Sequence, residues 1–442
     1  MIAPADLLHH WCTVHDVPGA QLAVSTGETV EFVCHGVANT SLGNPVTSQT
    51  RFQIGSVTKP MLAFTAFRLA EAGVIDLDKT VASVLQNLRQ HKSLTSPKLS
   101  IRHLMDHSSG LPGDMFLDLG DGPEAGAALL KATNDVAALH PVGAEASYCN
   151  YAYVALGEVI AATTRTHWTE AFKSLLIEPL GSATLDPWPA DDAPNLVIGH
   201  AGGAPVDCAF LAKSNAAAGT TPIGTAADLA RFGTLLLNSL NGAGPLAEDN
   251  ARAMTEMSAK LAPNERGDGF GQGFMVMEWD GVPVFGHDGL TIGQRAFLRV
   301  FPNSGMSVGL LGNGGDLRGL YQDLFADLAG VTGQPPPPRL RPSNGVGVSA
   351  RDGVCGRYDR PNASLLVRNQ DGRLTLEVLN HEPWAEFAYG AVEGPFPMAS
   401  CGPHQCMVNK PGSNVPLMVS FGQDAAWHGM RRYNRSAFGG AG

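Results

Sequence analysis

Apolar residues along this chain change their spacing several times, and each change marks an element. Gln21 to Val24 and Val30 to Val33 flank Thr26-Gly27-Glu28, which predicts an early β-hairpin. From Ser56 to Ala72 the apolar positions recur at helical spacing and stop at Gly73. Pro60 fits this helix because it lies in the first turn, where its missing N–H has no partner to lose. A second helical pattern, Tyr153-Val154-Leu156-Val159-Ile160, follows Tyr148-Cys149-Asn150, with Ser147 or Asn150 as the expected N-cap. The stretch from Thr80 to Leu240 reads as helix-rich with Gly/Pro loops, and Gly224-Thr225-Ala226-Ala227-Asp228 starts a further helix. Strand-like runs occupy Gly271 to Gly312, including Val282 to Phe285 and Ala296 to Phe301, before a helix from Leu317 to Ala329.

Pro335 to Pro338 form a stiff, extended linker. Beyond it Gly356 to Tyr358, Ser364 to Arg368 and Arg373 to Val378 alternate like half-buried strands, with Asp371-Gly372 as a hairpin turn. The expected division is residues 1–333, a linker over 334–349, and a β domain over 350–442.

Composition narrows the functional classes. The 442 residues are 44% hydrophobic, enough for a large core and more than one domain. A net charge of −11 argues against nucleic acid or an anionic membrane as partner. Seven scattered cysteines form no regular framework; Cys401 and Cys406 are close in sequence, but reduced thiols are expected. The N-terminus lacks the basic region and apolar core of a signal peptide, and no apolar run reaches membrane-spanning length. With Met1 as the start, a cytoplasmic location is expected. His103 and His107 stand at i and i+4 without metal-ligand company, and there is no phosphate loop or dinucleotide fingerprint. No metal and no cofactor are therefore expected.

Three short motifs carry the chemistry. Ser56 and Lys59 sit three positions apart at the start of a helix, so hydroxyl and amine share a face. A serine needs a neighbouring base to become a nucleophile, and a lysine held neutral can be that base. Tyr148-Cys149-Asn150 places a phenol and an amide at a loop-to-helix junction. Gly286-His287-Asp288-Gly289 lies between two strand runs, and Gly289 permits close backbone approach to a ligand. Singly, each motif reads as helix surface, helix start or turn. A rival G-x-S-x-G, Gly305 to Gly309, lacks the strand–turn–helix order of a nucleophile elbow, since Met306 to Leu311 reads as strand.

Taken together, S-x-x-K, then Y-x-N, then H-x-G resembles the serine β-lactamase and penicillin-binding protein superfamily, in its class C β-lactamase-like branch. Ser100-Ile101-Arg102-His103-Leu104-Met105-Asp106-His107-Ser108-Ser109-Gly110-Leu111 is similar to that branch's T-I-R-H-L-L-T-H-T-S-G-L segment, and Glu178-Pro179-Leu180-Gly181 to its E-P-L-G-M. The resemblance covers residues 8–330. It implies an α+β fold: an antiparallel sheet to which both ends of the domain contribute, flanked by helices, with a helical lobe. It also implies that the C-terminal part is the small lipocalin-like β-barrel appended to many such hydrolases.

Carried over residue by residue, the resemblance makes Ser56 the nucleophile. Lys59 accepts or relays its proton, and Tyr148 is partner base and later acid, the two forming one coupled relay. Asn150 orients Lys59 and binds substrate, His287 and Gly289 bind substrate along the strand, and the backbone N–H groups of Ser56 and Leu290 form the oxyanion hole. Each such donor is worth about 3 kcal/mol. His287 departs from the usual lysine and carries no permanent cation, which suits esters, thioesters or amides without an obligatory carboxylate there. The expected activity is transfer of an acyl group through acyl-Ser56 from a small-molecule or peptidyl donor to water, an amine or an alcohol. The alternatives are a β-lactamase or D-peptidase, or a catalytically silent peptide-binding protein.

Overall fold

A computed structural model describes residues 3–27, 29–343, 353–381 and 391–436. A nine-stranded antiparallel sheet runs in the order Asn44–Pro45, Val30–Asn39, Gly19–Ser25, Met306–Gly312, Gln294–Phe301, Val282–Thr291, Met275–Trp279, Gly269–Phe270, Ala259–Lys260. The early hairpin is present, with Leu22 opposite Val33. Gly19–Ser25 then pairs with Met306–Gly312, so the two ends of the domain meet in mid-sheet, as the family resemblance implies.

That central strand is buried throughout because both faces are covered. Ala23 faces a core shared with the helical lobe, where Phe64, Phe67, Tyr153 and Phe232 pack. Leu22 and Val24 face the helices Pro4–Val14 and Leu317–Thr332, through Leu8, Leu324 and Phe325. Period-two alternation thus splits one strand between two cores. The lobe's main helices are Thr58–Glu71, Asn150–Thr164 and Ala226–Leu240. The last starts with a full capping box, in which Thr225 and Asp228 each accept from the other's backbone N–H.

Eight strands from Gly356–Arg360 to Arg431–Arg435 close into a barrel with its own core around Tyr358, Leu365, Leu376 and Val419. Asn369–Leu374 and Gln370–Arg373 pairing confirms the Asp371-Gly372 hairpin. The expected linker and barrel boundaries at 344–352 and 437–442 lie outside the described residues.

Polar contacts seat the barrel against the Tyr148-Cys149-Asn150 segment and the Leu317–Thr332 helix. The Tyr148 N–H donates to Met430 O at 2.9 Å, and the Arg432 N–H to Ser147 Oγ at 3.1 Å. Asp316 caps the Leu317–Thr332 helix and also accepts from Ser413 Oγ at 2.9 Å and the Asn414 N–H at 3.1 Å. The Tyr148 and Arg432 N–H groups would lose these partners without the other body.

Candidate active site

The sequence from Gly55 to Glu71 explains how Ser56 and Lys59 meet. Gly55–Val57 forms a single 3₁₀ turn that runs into the Thr58–Glu71 helix, so the serine lies just ahead of the first α-turn. Lys59 Nζ is 2.9 Å from Ser56 Oγ, 2.6 Å from Asn150 Oδ1 and 2.6 Å from Ala218 O. Lys59 is fully buried. Burial, reinforced by the nearby Arg431 charge, holds its amine well below the ordinary lysine range, against the opposing pull of Asp114. A neutral amine has two N–H bonds and one lone pair. With its donors on Asn150 Oδ1 and Ala218 O, a neutral Lys59 would keep its lone pair for the Ser56 hydroxyl.

Asn150 is locked by a partner that no motif announced. Its Nδ2 donates to Asp114 Oδ1 at 2.5 Å, which fixes Oδ1 toward Lys59. Asp114 is itself gripped by Arg431 (2.7 Å) and Arg360 (3.0 Å), both from the barrel. Burial raises the Asp114 carboxyl, but the two guanidiniums and the Asn150 amide outweigh it and hold the group below the usual carboxylate range.

Tyr148 lies between these groups and Ser56. Its phenol is hydrogen-bonded with the Ser56 side chain, and burial pushes it above its ordinary range, so it is a neutral phenol. Arg431 covers the Tyr148 ring at 4.6 Å. His107 packs against the same ring, tilted 39° with ring centroids 4.5 Å apart, and it also takes the flanking Ser147 and Cys149 N–H groups on its O and Nδ1. Helix Asn150–Thr164 is capped by Cys149, whose Sγ accepts from the Ala152 N–H at 3.3 Å. The expected caps, Ser147 and Asn150, are engaged elsewhere, by Arg432 and by Lys59 and Asp114.

The third motif lies on the strand Val282–Thr291. A Cβ at Gly289 would sit 2.2 Å from Ile54 O, so only glycine lets this strand press against the turn that carries Ser56. The same contact brings Leu290 N against Gly55 and leaves the Leu290 side chain 41% exposed in the cleft. His287 Nδ1 is 2.7 Å from Asp288 O and therefore carries the proton. Burial, the largest cause, lowers the imidazole to about 3, so it is neutral. Its Nε2 is a buried acceptor without a protein partner among the described residues.

These residues line a cleft of about 410 Å³, with apolar surface from Phe116, Val206, Leu211 and Ile292. The competing motifs dissolve in the fold. Ser307 is buried within strand Met306–Gly312, which makes an elbow impossible. His103 lies in the four-residue helix Arg102–Met105 and bonds Ser100, while His107 lies beyond its end at φ +62°, so the two share no helical face. Among the described residues no cluster of metal-ligand type occurs, all seven cysteines are free, and no helix is long and apolar enough to cross a membrane. Asp114, Arg360 and Arg431 were not singled out from the sequence, and His107 was weighed only as a metal ligand. Only His107 stood in a recognisable motif, and a carboxylate with two distant arginines leaves no local pattern.

Comparisons with known proteins bear on the family and the fold. A family model described as Beta-lactamase matches residues 12–330. Penicillin-binding protein 4 of Amycolatopsis lactamdurans is 33% identical over 335 residues, which is 72% of this chain and 86% of that protein. The crystal structure of SurE is 25% identical with a TM-score of 0.77 and covers 98% of both chains, barrel included. The structure of D-amino acid amidase from Ochrobactrum anthropi SV3 with D-phenylalanine has a TM-score of 0.63 at 21% identity, covering 75% of this chain and 98% of that one. The chain belongs to the Beta-lactamase family, whose members are serine hydrolases of the penicillin-binding protein type.

Proposed function

We propose that this protein is an acyl-enzyme catalyst in which Ser56 takes the acyl group of an ester, thioester or amide and passes it to water or to an amine or alcohol. The observation that carries the reading is the fully buried Lys59 amine, 2.9 Å from Ser56 Oγ with its two donors already engaged. Ser56 Oγ attacks the carbonyl while its proton moves to the Lys59 lone pair. The carbonyl oxygen gains the negative charge and is met by the Ser56 and Leu290 backbone N–H groups. As the carbon–leaving-group bond breaks, the Tyr148 phenol donates a proton to the leaving atom and recovers one from the Lys59 ammonium. Asn150 orients Lys59. The second half runs the same steps in reverse, with the acceptor's proton entering through Tyr148.

The neutral His287 offers a lone pair where a permanent cation would bind a carboxylate, which supports substrates that present an N–H or O–H at that position. Leu290, Leu211 and Phe116 support an apolar acyl group. The names of the similar proteins fit this chemistry: a penicillin-binding protein, a D-amino acid amidase, and an esterase of Burkholderia gladioli, 36% identical over 86 residues.

The test is the intact mass of the protein after brief exposure to a penicillin, an aryl ester, D- and L-aminoacyl esters and a peptidyl thioester. A donor-sized increase on the parent protein and none on Ser56→Ala is expected. Faster loss of the adduct with added amine than with water marks a transferase, and equal loss marks a hydrolase. A penicillin adduct alone would favour the β-lactamase or D-peptidase reading. No adduct from any donor would leave a binding protein.

A further inference from the structure

Between the catalytic domain and the barrel lies a second chamber of about 1020 Å³. It opens onto the cleft, and Asp114, Arg266, Leu290, Arg295 and Arg431 line both spaces. Its walls are cationic, although the chain as a whole carries −11. Lys410 is cancelled by Glu393 at 2.6 Å. The other charges are arranged differently. On one wall Asp114, 4% exposed, is shared by Arg360 and Arg431. On the other Glu265, 5% exposed, is shared by Arg266 at 3.4 Å and Arg318 at 3.7 Å.

Each buried carboxylate therefore faces two guanidiniums, and Arg295 adds a further cation to the catalytic-domain wall. Desolvated positive charge of this kind is costly unless an anion joins it. Burial and the neighbouring Arg266 and Arg295 charges lower the Arg318 guanidinium to about 10, against the pull of Glu265, the direction expected of too much positive charge in one place. Arg360 Nε is also buried with no hydrogen-bond partner among the described residues.

We propose that this chamber is a subsite for an anionic group, a carboxylate or a phosphate ester, carried by one of the two reactants that meet at Ser56. The group lies between Arg266–Arg318 on the catalytic domain and Arg360–Arg431 on the barrel. The arrangement gives the barrel a chemical task, since neither domain alone supplies both walls. It rests on the acyl-transfer reading for the identity of the ligand, but not for the existence of the site.

The experiment separates the two. Calorimetric titration of full-length Ser56→Ala, which cannot be acylated, uses inorganic phosphate, N-acetylglycinate and the neutral N-acetylglycinamide as probes. Saturable binding of the anions but not the amide is expected, weakened about tenfold by adding Arg266→Gln or Arg360→Gln and largely kept by Arg266→Lys, since one charge-assisted contact is worth about that much. Anions that bind no better than the amide, or binding unchanged in both glutamine variants, would overturn the proposal. On the parent enzyme, faster acylation by thioesters with an anionic thiol than by neutral ones assigns the group to the donor. Faster capture of the adduct by amino acids than by their amides assigns it to the acceptor. Anion binding without any Ser56 adduct would refute the acyl-transfer reading and leave the subsite standing. An adduct without anion binding would do the reverse.

Discussion

The two sides of the cleft are assembled by different means. Ser56 and Lys59 are placed by one helical turn, and Gly289 and Leu290 by a strand that only glycine allows against that turn. The side that holds Tyr148 and Asn150 is finished from the far end of the chain: Met430 O takes the Tyr148 N–H, Arg431 covers its ring, and Arg431 with Arg360 fixes the Asp114 that orients Asn150. The first side is backbone geometry, one helical turn and one close strand contact. The second is long-range charge pairing in a buried place, where removing one partner costs more than the pair contributes. The barrel is therefore bound to the Tyr148 and Asn150 side of the cleft and does more than hang beside it.

The largest expected effect belongs to the first side. Lys59→Met removes the acceptor for the Ser56 proton and is expected to slow acylation by about 10³- to 10⁴-fold, the upper range for a general base. Tyr148→Phe, which leaves that lone pair in place, is expected to cost about 10²-fold. The initial rate of adduct formation reads both, and the reverse order would make Tyr148 the primary base.

Asp114→Asn attacks the long-range side. It leaves two buried guanidiniums without their carboxylate and is expected to cost about 3–5 kcal/mol in denaturant unfolding, with slower acylation as Asn150 loses its anchor. A variant with parent-like stability and rate would show the two sides to be independent. Arg431→Gln is milder and sharper. The Arg431 charge helps to hold Lys59 down, so its loss raises the Lys59 pKa and moves the acid limb of the acylation profile to higher pH. The rate at neutral pH is then expected to fall more than the rate at alkaline pH.

Stability should depend on acid in both domains alike. His287 in the catalytic domain is lowered to about 3 and His428 in the barrel to about 4, chiefly by burial, from an unperturbed 6.5. Each is neutral when folded and protonates more readily when unfolded, so its contribution is complete above pH 6.5 and is lost as pH falls toward the folded value. His287→Asn is expected to flatten the stability-versus-pH curve between about 6 and 4, relative to the parent. The smallest effect is Cys149→Ala, which removes a weak helix cap at about 0.5–1 kcal/mol in thermal or denaturant unfolding.

What could be read from the sequence follows the same division. The hairpin at 21–33, the Ser56 helix, the 282–301 strands and the barrel's Asp371-Gly372 turn are written in short-range periodicity and turn chemistry. So is the meeting of Ser56 with Lys59, because i and i+3 share a face. The Asp114 cluster is not, since Asp114, Arg360 and Arg431 lie far apart in the chain and each looks like an ordinary surface charge until the fold buries it. The Cys149 cap was hidden for another reason. Ser147 and Asn150 are better capping residues, but tertiary partners had already claimed both.

The most direct test of the proposed chemistry is the pH dependence of Ser56 acylation by a neutral aryl ester, followed as intact mass. The expected result is a Ser56 adduct whose rate rises with pH through an inflection well below the ordinary lysine range near 10.4, reporting a Lys59 that is neutral at working pH. An inflection at the ordinary lysine value, or an adduct on any residue other than Ser56, would contradict it.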